Sequence, residues 1–78
     1  MILDEMKIPY TKDGEDTYIL EDVGGQITDD GDYLYIYYGN TAVKIRKDDP
    51  ELRHYIEAYM EGADEFMAFV YNREHKKS

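Results

Sequence analysis

Tyr33-Leu34-Tyr35-Ile36-Tyr37-Tyr38-Gly39-Asn40-Thr41-Ala42-Val43-Lys44-Ile45-Arg46 decides how this chain folds. Both flanks are rich in aromatic and β-branched residues, which fit a pleated, half-buried surface. Gly39-Asn40 between them is a two-residue hairpin loop with glycine first, which suits a type II′ turn. That loop sets the pairing. Tyr38 falls opposite Thr41, Ile36 opposite Val43 and Leu34 opposite Ile45 on the expected core face. Tyr37 falls opposite Ala42, Tyr35 opposite Lys44 and Tyr33 opposite Arg46 on the other. Side chains alternate with a period of 2, so a one-residue slip would exchange the two faces.

Upstream, the pattern predicts further hairpins. Lys7 to Thr11 and Thr17 to Leu20 flank Asp13-Gly14, a hairpin signal. Pro9 lacks an N–H, so its strand is expected at a sheet edge. Gly24-Gly25 breaks the chain, Gln26 to Thr28 reads as a short strand, and Asp29-Asp30-Gly31-Asp32 reads as a turn. Ile2, Leu3 and Met6 fit one helical turn, although so short a helix is marginal alone.

Downstream, Asp49-Pro50 opens a helix. Asp49 can cap free N–H groups, Pro50 suits the first turn, and Glu51 favours the positive end of the dipole. Apolar residues recur at Leu52, Tyr55, Ile56, Tyr59, Met60, Ala63, Phe66, Met67, Val70 and Tyr71, the spacing of one buried helical face. Three outcomes are open: one bent helix from Pro50 to about Asn72, a break at Gly62 with Asp64 capping a second helix, or a strand over Glu65 to Tyr71. The expected fold is α+β: a small antiparallel sheet of three to five strands packed against one long or two short C-terminal helices. Residues 1–78 form a single domain in this view, with Glu74 to Ser78 frayed.

The chain has 78 residues, no cysteine, and a formal net charge of −9. A domain of this size buries only about 60% of the surface its unfolded chain exposes. Absence of cysteine removes disulfides, thiolate metal sites and thiol nucleophiles. No apolar run reaches the roughly 18 residues of a membrane span, and no secretory signal pattern opens the chain. Acid dominates residues 1–32 and 48–65, whereas residues 33–47 carry only the bases Lys44, Arg46 and Lys47. Such a surface attracts basic partners and repels nucleic acid. It also serves solubility alone.

Catalytic chemistry is not expected. The only serine is Ser78, and the two histidines are His54 and His75. Gly24-Gly25 lacks the Lys-Ser or Lys-Thr of a phosphate loop. Aligning Gly31 with the invariant glycine of a calcium loop leaves the first carboxylate and the bidentate Glu absent. No cofactor or metal is expected. Two features remain as binding surfaces. Tyr33, Tyr35 and Tyr37 beside Lys44 and Arg46 have the ingredients of a base-stacking platform, of cross-strand packing, or of a protein-docking face. Glu57, Glu61 and Glu65, with Asp64 beside them, fall four residues apart. On one helix that is a row of charges about 6 Å apart, comparable to successive phosphates.

A short, cysteine-free, Tyr-rich, acidic chain with hairpins and an acid-striped helix resembles the small bacteriophage-encoded inhibitors, in particular anti-CRISPR proteins that imitate nucleic acid. The segment Tyr33 to Lys47, followed by a capped helix with Tyr55-Ile56-Glu57-Ala58-Tyr59 and Gly62, carries the likeness over about half the chain. The resemblance implies a non-enzymatic DNA mimic of phage or prophage origin. Such a protein acts in the cytoplasm of a bacterial host and occupies the nucleic-acid site of a Cas protein. It transfers no functional residue. From the residues themselves, the expected partner surface comprises Asp29, Asp30, Asp32, Tyr33, Tyr35, Tyr37, Glu57, Glu61, Asp64 and Glu65. The partner would be a basic nucleic-acid-binding protein, with no direct binding to nucleic acid or membrane. Alternatives are an immunity protein or antitoxin against a nuclease, and a small regulatory protein-binding module.

Overall fold

The structure is a computed structural model that describes residues 2–74. It is α+β. After the single-turn helix α1 (Ile2–Glu5) come strands β1 (Thr11–Lys12), β2 (Thr17–Leu20), β3 (Gly25–Asp30), β4 (Tyr33–Tyr38) and β5 (Thr41–Arg46). Helices α2 (Leu52–Glu61) and α3 (Ala63–Glu74) follow. The five strands form one antiparallel meander in the order β1-β2-β3-β4-β5.

The deciding hairpin has the expected register, from Tyr33 opposite Arg46 through to Tyr38 opposite Thr41. Gly39 has φ 58°, as the first position of a II′ turn requires. Leu34, Ile36 and Ile45 are buried. Val43 and Tyr38 are half-buried, and Thr41, at the hairpin end of that face, is exposed. Cross-strand pairing adds Ile27 of β3 and Tyr18 and Leu20 of β2 to the same buried face. The helices cover it with Leu3, Leu52, Tyr55, Ile56, Tyr59, Phe66 and Val70.

Several expectations are corrected upstream. Lys7 does not begin a strand. It has φ 59° at the end of α1, where its N–H bonds the Asp4 carbonyl, and β1 starts only at Thr11. Leu3, buried completely, is what holds so short a helix in place. β1 is an edge strand, but Pro9 precedes it rather than sitting in it. Asp29 and Asp30 belong to β3, so the turn is reduced to Gly31-Asp32, with Gly31 at φ 65°. This loop again places glycine first.

The helical half breaks at Gly62. Its N–H bonds the Ala58 carbonyl and closes α2, and its own carbonyl accepts the Phe66 N–H that opens α3. With φ 147°, it adopts a conformation that side chains disfavour. The strand alternative for Glu65 to Tyr71 is overturned, because those residues lie within α3. Asp64 is in the first turn of α3 rather than capping it. Asp49 does not cap α2 itself, whose N-cap is Glu51 with no side-chain cap: its Oδ1 accepts the Glu51 N–H at 2.7 Å in the turn that precedes regular helix at Leu52. The apolar phase does not run unchanged through the break. Phe69 turns inward, its ring 4.8 Å from Tyr55, while Tyr71 is 60% exposed. Tyr59 and Phe66 meet at 5.0 Å, and Arg73 lies 3.5 Å from Asp49. These contacts make α2 and α3 an antiparallel hairpin. Glu74 is the last described residue of α3, and residues 75–78 of the expected frayed tail lie outside the described residues.

Candidate functional site

The acidic residues do not form one row. Glu57 and Glu61 are on α2, and Asp64 and Glu65 open α3 after the chain has reversed at Gly62. The single stripe that mimics a phosphate repeat is therefore overturned by the helix break. Glu57 lies 3.8 Å from Arg53. Glu61, Asp64 and Glu65 are exposed and have no ion pair among the described residues.

Asp29, Asp30 and Asp32 lie at the other end of the sheet. Strand β4 separates the Gly31 turn from the Gly39 turn by about 17 Å. Asp29 is not a free carboxylate. Register places it opposite Leu34 on the helix side of the sheet, half-buried, with Oδ1 2.7 Å from the Lys47 ammonium. Asp30 and Asp32 are exposed and without ion pairs among the described residues.

Tyr33, Tyr35 and Tyr37 share the sheet face that points away from the helices, as expected, but their surroundings differ. The Lys44 ammonium sits 4.2 Å from the Tyr33 ring centroid and the Arg46 guanidinium 5.5 Å from it. Arg46 also donates to Asp48 at 2.9 and 3.2 Å and to the Tyr33 hydroxyl at 3.5 Å. The Asp48 bond, then the Tyr33 bond, hold the guanidinium further toward its charged form. Asp48 is in turn held below the usual carboxylate range by Arg46. Tyr33 and its cations thus satisfy one another, the packing outcome of the three that the residues allowed. Tyr35 is half-buried. Tyr37, paired with Gln26 on one side and Ala42 on the other, is 39% exposed.

Behind Tyr37 lies the residue that sequence reasoning missed. The Tyr59 hydroxyl donates to the Tyr37 carbonyl at 2.6 Å and accepts the Gln26 N–H at 3.1 Å. Gln26 and Tyr37 are cross-strand partners, so a helix side chain bridges one rung of the sheet. Burial pushes the Tyr59 phenol above its ordinary range, opposed by the Gln26 N–H. The ring lies against Gly25, where a Cβ would come within 2.3 Å of the Tyr59 oxygen. Gly24-Gly25 carried a signal for this, but the pattern reads equally as a loop.

In front of this bridge, a cleft of about 250 Å³ opens between the α2–α3 corner and two sheet turns. Val23, Gly24, Tyr37, Gly39, Gly62 and Ala63 contribute to its lining. Among the described residues, no group of three His, Asp or Glu side chains is placed to hold a metal ion, and no helix is long and apolar enough to cross a membrane. Comparison of the chain with protein-family models, curated proteins and solved structures found no match.

Proposed function

We propose that this chain is a non-enzymatic inhibitor that uses its acidic surface to occupy the nucleic-acid site of a basic protein. A phage-encoded anti-CRISPR protein acting on a Cas effector in a bacterial cytoplasm is the form we favour. One observation carries the reading: the excess acid is displayed rather than neutralised. Asp30, Asp32, Glu61, Asp64 and Glu65 are exposed and hold no ion pair among the described residues. A surface of this kind steers a Lys/Arg-lined groove toward it and competes there with phosphate. At a net charge of −9, it repels nucleic acid itself.

The test is plasmid interference in bacteria that carry an active CRISPR–Cas system, paired with a mobility-shift competition using the purified effector. Co-expression of the chain is expected to restore retention of a targeted plasmid. The purified chain is expected to displace target DNA from the effector without itself shifting DNA. Absence of protection against every effector class tested, with no displacement, overturns the reading. A salt-sensitive shift of DNA by the chain alone also overturns it, in favour of a stacking platform.

A further inference from the structure

The two edges of the sheet are protected unequally. An edge strand presents unpaired N–H and C=O groups, and proteins limit that hazard by shortness, proline, bulges or charge. At one edge, β1 is only two residues long and follows closely on Pro9. At the other, β5 runs six residues from Thr41 to Arg46 in unbroken register with β4, without proline or bulge. Its charged side chains fold back onto the sheet rather than across the edge. The Lys44 ammonium lies over the Tyr33 ring of β4, and the Arg46 guanidinium is held by Asp48 and the Tyr33 hydroxyl.

Pairing with β4 decides which backbone groups of β5 are left over. Along an antiparallel pair, residues alternate between exchanging both hydrogen bonds with their opposite number and directing both groups away. The Lys47 N–H bonds the Asp32 carbonyl at 2.8 Å, so the residues that face β4 are Thr41, Val43, Ile45 and Lys47. Ala42, Lys44 and Arg46 point the other way. The Arg46 carbonyl accepts the Asp49 N–H in the turn that follows. That leaves the N–H and C=O of Ala42, those of Lys44, and the Arg46 N–H without a partner among the described residues. All three residues are exposed.

We propose that this edge takes the same edge of a second copy of the chain, antiparallel about a two-fold axis at Val43. Ala42 of each copy then exchanges two hydrogen bonds with Lys44 of the other, and no like charges fall directly opposite. On the side covered by helices, Val43 meets Val43 and Thr41 meets Ile45, so the half-buried Val43 gains apolar cover. Outward residues must meet outward residues, so the neighbouring registers differ by a whole pair. Centring on Lys44 sets two ammonium groups opposite each other, which is unfavourable. Centring on Ala42 runs the ladder off the strand into Gly39-Asn40. Charge points to the same edge: copies carrying −9 each repel one another, but residues 33–47 contain no acid. The inference is independent of the inhibitor reading, and either can fail alone.

The experiment is sedimentation equilibrium of the full chain, paired with amide hydrogen exchange at low and high concentration. One strand pair is a small interface, so a weak dimer is expected, its mass rising over about 10 μM to about 1 mM. At the high end, the Ala42 and Lys44 amides are expected to exchange several-fold more slowly than at the low end. The Thr41, Val43 and Ile45 amides, already bonded to β4, should not change. Lys44→Pro removes an outward N–H and leaves the β4 ladder whole, so it should be a folded monomer throughout. Ala42→Glu and Ala42→Lys alter an exposed position and test the register by sign. Glu opposite Lys44 of the other copy should tighten the dimer about fivefold, and Lys there should weaken it by a similar factor. Net charge alone predicts the reverse order, since Glu adds to the repulsion between copies and Lys relieves it. The proposal is overturned by a chain that stays monomeric over that range, or by a dimer that leaves the Ala42 and Lys44 amides unprotected. A dimer in which the two Ala42 variants take the reverse order, or one that a folded Lys44→Pro still forms, overturns it as well.

Discussion

Both ends of the sheet carry several carboxylates and use them differently. At the Gly31 end, Lys47 pairs with Asp29, Arg46 with Asp48, and Lys44 lies over Tyr33. The bases of β5 and the residue after it are spent on internal partners. At the Gly62 end, Glu61, Asp64 and Glu65 face solvent with no such partner among the described residues. A count of charges along the chain does not distinguish the ends. Pairing does in part: Asp29 and Asp48 are paired at the Gly31 end, where Asp30 and Asp32 stay free, whereas Glu61, Asp64 and Glu65 are all unpaired among the described residues. An ion pair already made offers a partner far less than a free carboxylate.

The difference is sharpest if the Gly62 end is a built surface rather than loose turns, and Gly25→Ala tests that with the largest expected effect. The new Cβ would approach the Tyr59 oxygen to 2.3 Å and the adjoining ring carbon to 2.6 Å. Tyr59 is buried, with Phe66 packed at its edge, so it has little room to retreat. Overpacking together with loss of the bridge is expected to destabilise the fold by about 3 kcal/mol in urea denaturation. A cost near zero would mean that the bridge does not hold this end together.

Tyr59→Phe removes the hydroxyl without adding bulk, and leaves the Tyr37 carbonyl and Gln26 N–H without that partner. A loss of about 1–2 kcal/mol is expected. The pH dependence adds a signature. Burial raises the phenol above its ordinary range, so the folded state holds its proton more tightly than the unfolded state does. This contribution is complete below the unfolded pKa and is lost as pH rises through the folded one. Stability of the wild type should therefore fall on going above about pH 10, and Tyr59→Phe should fall less steeply. Tyr55, also raised chiefly by burial, keeps some slope in the variant. Identical alkaline slopes would separate the hydroxyl from the stability of this end.

These residues show where the sequence was legible. The β4–β5 register followed from Gly39-Asn40 because a two-residue loop admits one alignment and alternation confirms it. The helix break at Gly62 was one of three open outcomes, since helical spacing on both sides looks continuous until the backbone turns. Lys7 to Tyr10 failed for a different reason: β-prone composition gave way to burial of Leu3, a tertiary contact no local pattern reports. For the site, residue types were legible and partnerships were not. Asp29 reads as one more turn carboxylate until pairing places it beside Lys47. Tyr59 reads as one more core aromatic until its hydroxyl is found between two strands.

At the Gly31 end the comparison predicts a smaller change. Lys47→Met keeps the stem of the side chain and removes its charge from Asp29, which is half-buried beside apolar Leu34. Partly exposed ion pairs contribute at most about 1 kcal/mol, so a loss of about 0.5–1 kcal/mol is expected at low salt. It should shrink as salt is added. If Lys47→Met instead leaves stability unchanged at every ionic strength, the pair is incidental and the Gly31 end is as open to partners as the other.

The smallest effects concern the free carboxylates themselves, and their signs matter more than their size. Glu61 is the last residue of α2, at the negative end of that helix dipole, whereas Asp64 is in the first turn of α3, at a positive end. Charge of one sign should therefore weaken one helix and support the other. Glu61→Gln is expected to stabilise the fold by about 0.3 kcal/mol and Asp64→Asn to destabilise it by a similar amount, both fading in high salt. The two changes then nearly cancel in a combined Glu61→Gln/Asp64→Asn variant, so any loss of partner binding there is not a loss of folding. A stabilised Glu61→Gln that binds less well would mean that Glu61 is kept against the preference of its own helix, as expected of a residue serving a partner. A destabilised Glu61→Gln would mean that the carboxylate holds the α2–α3 corner, and the contrast between the two ends would lose its strongest member.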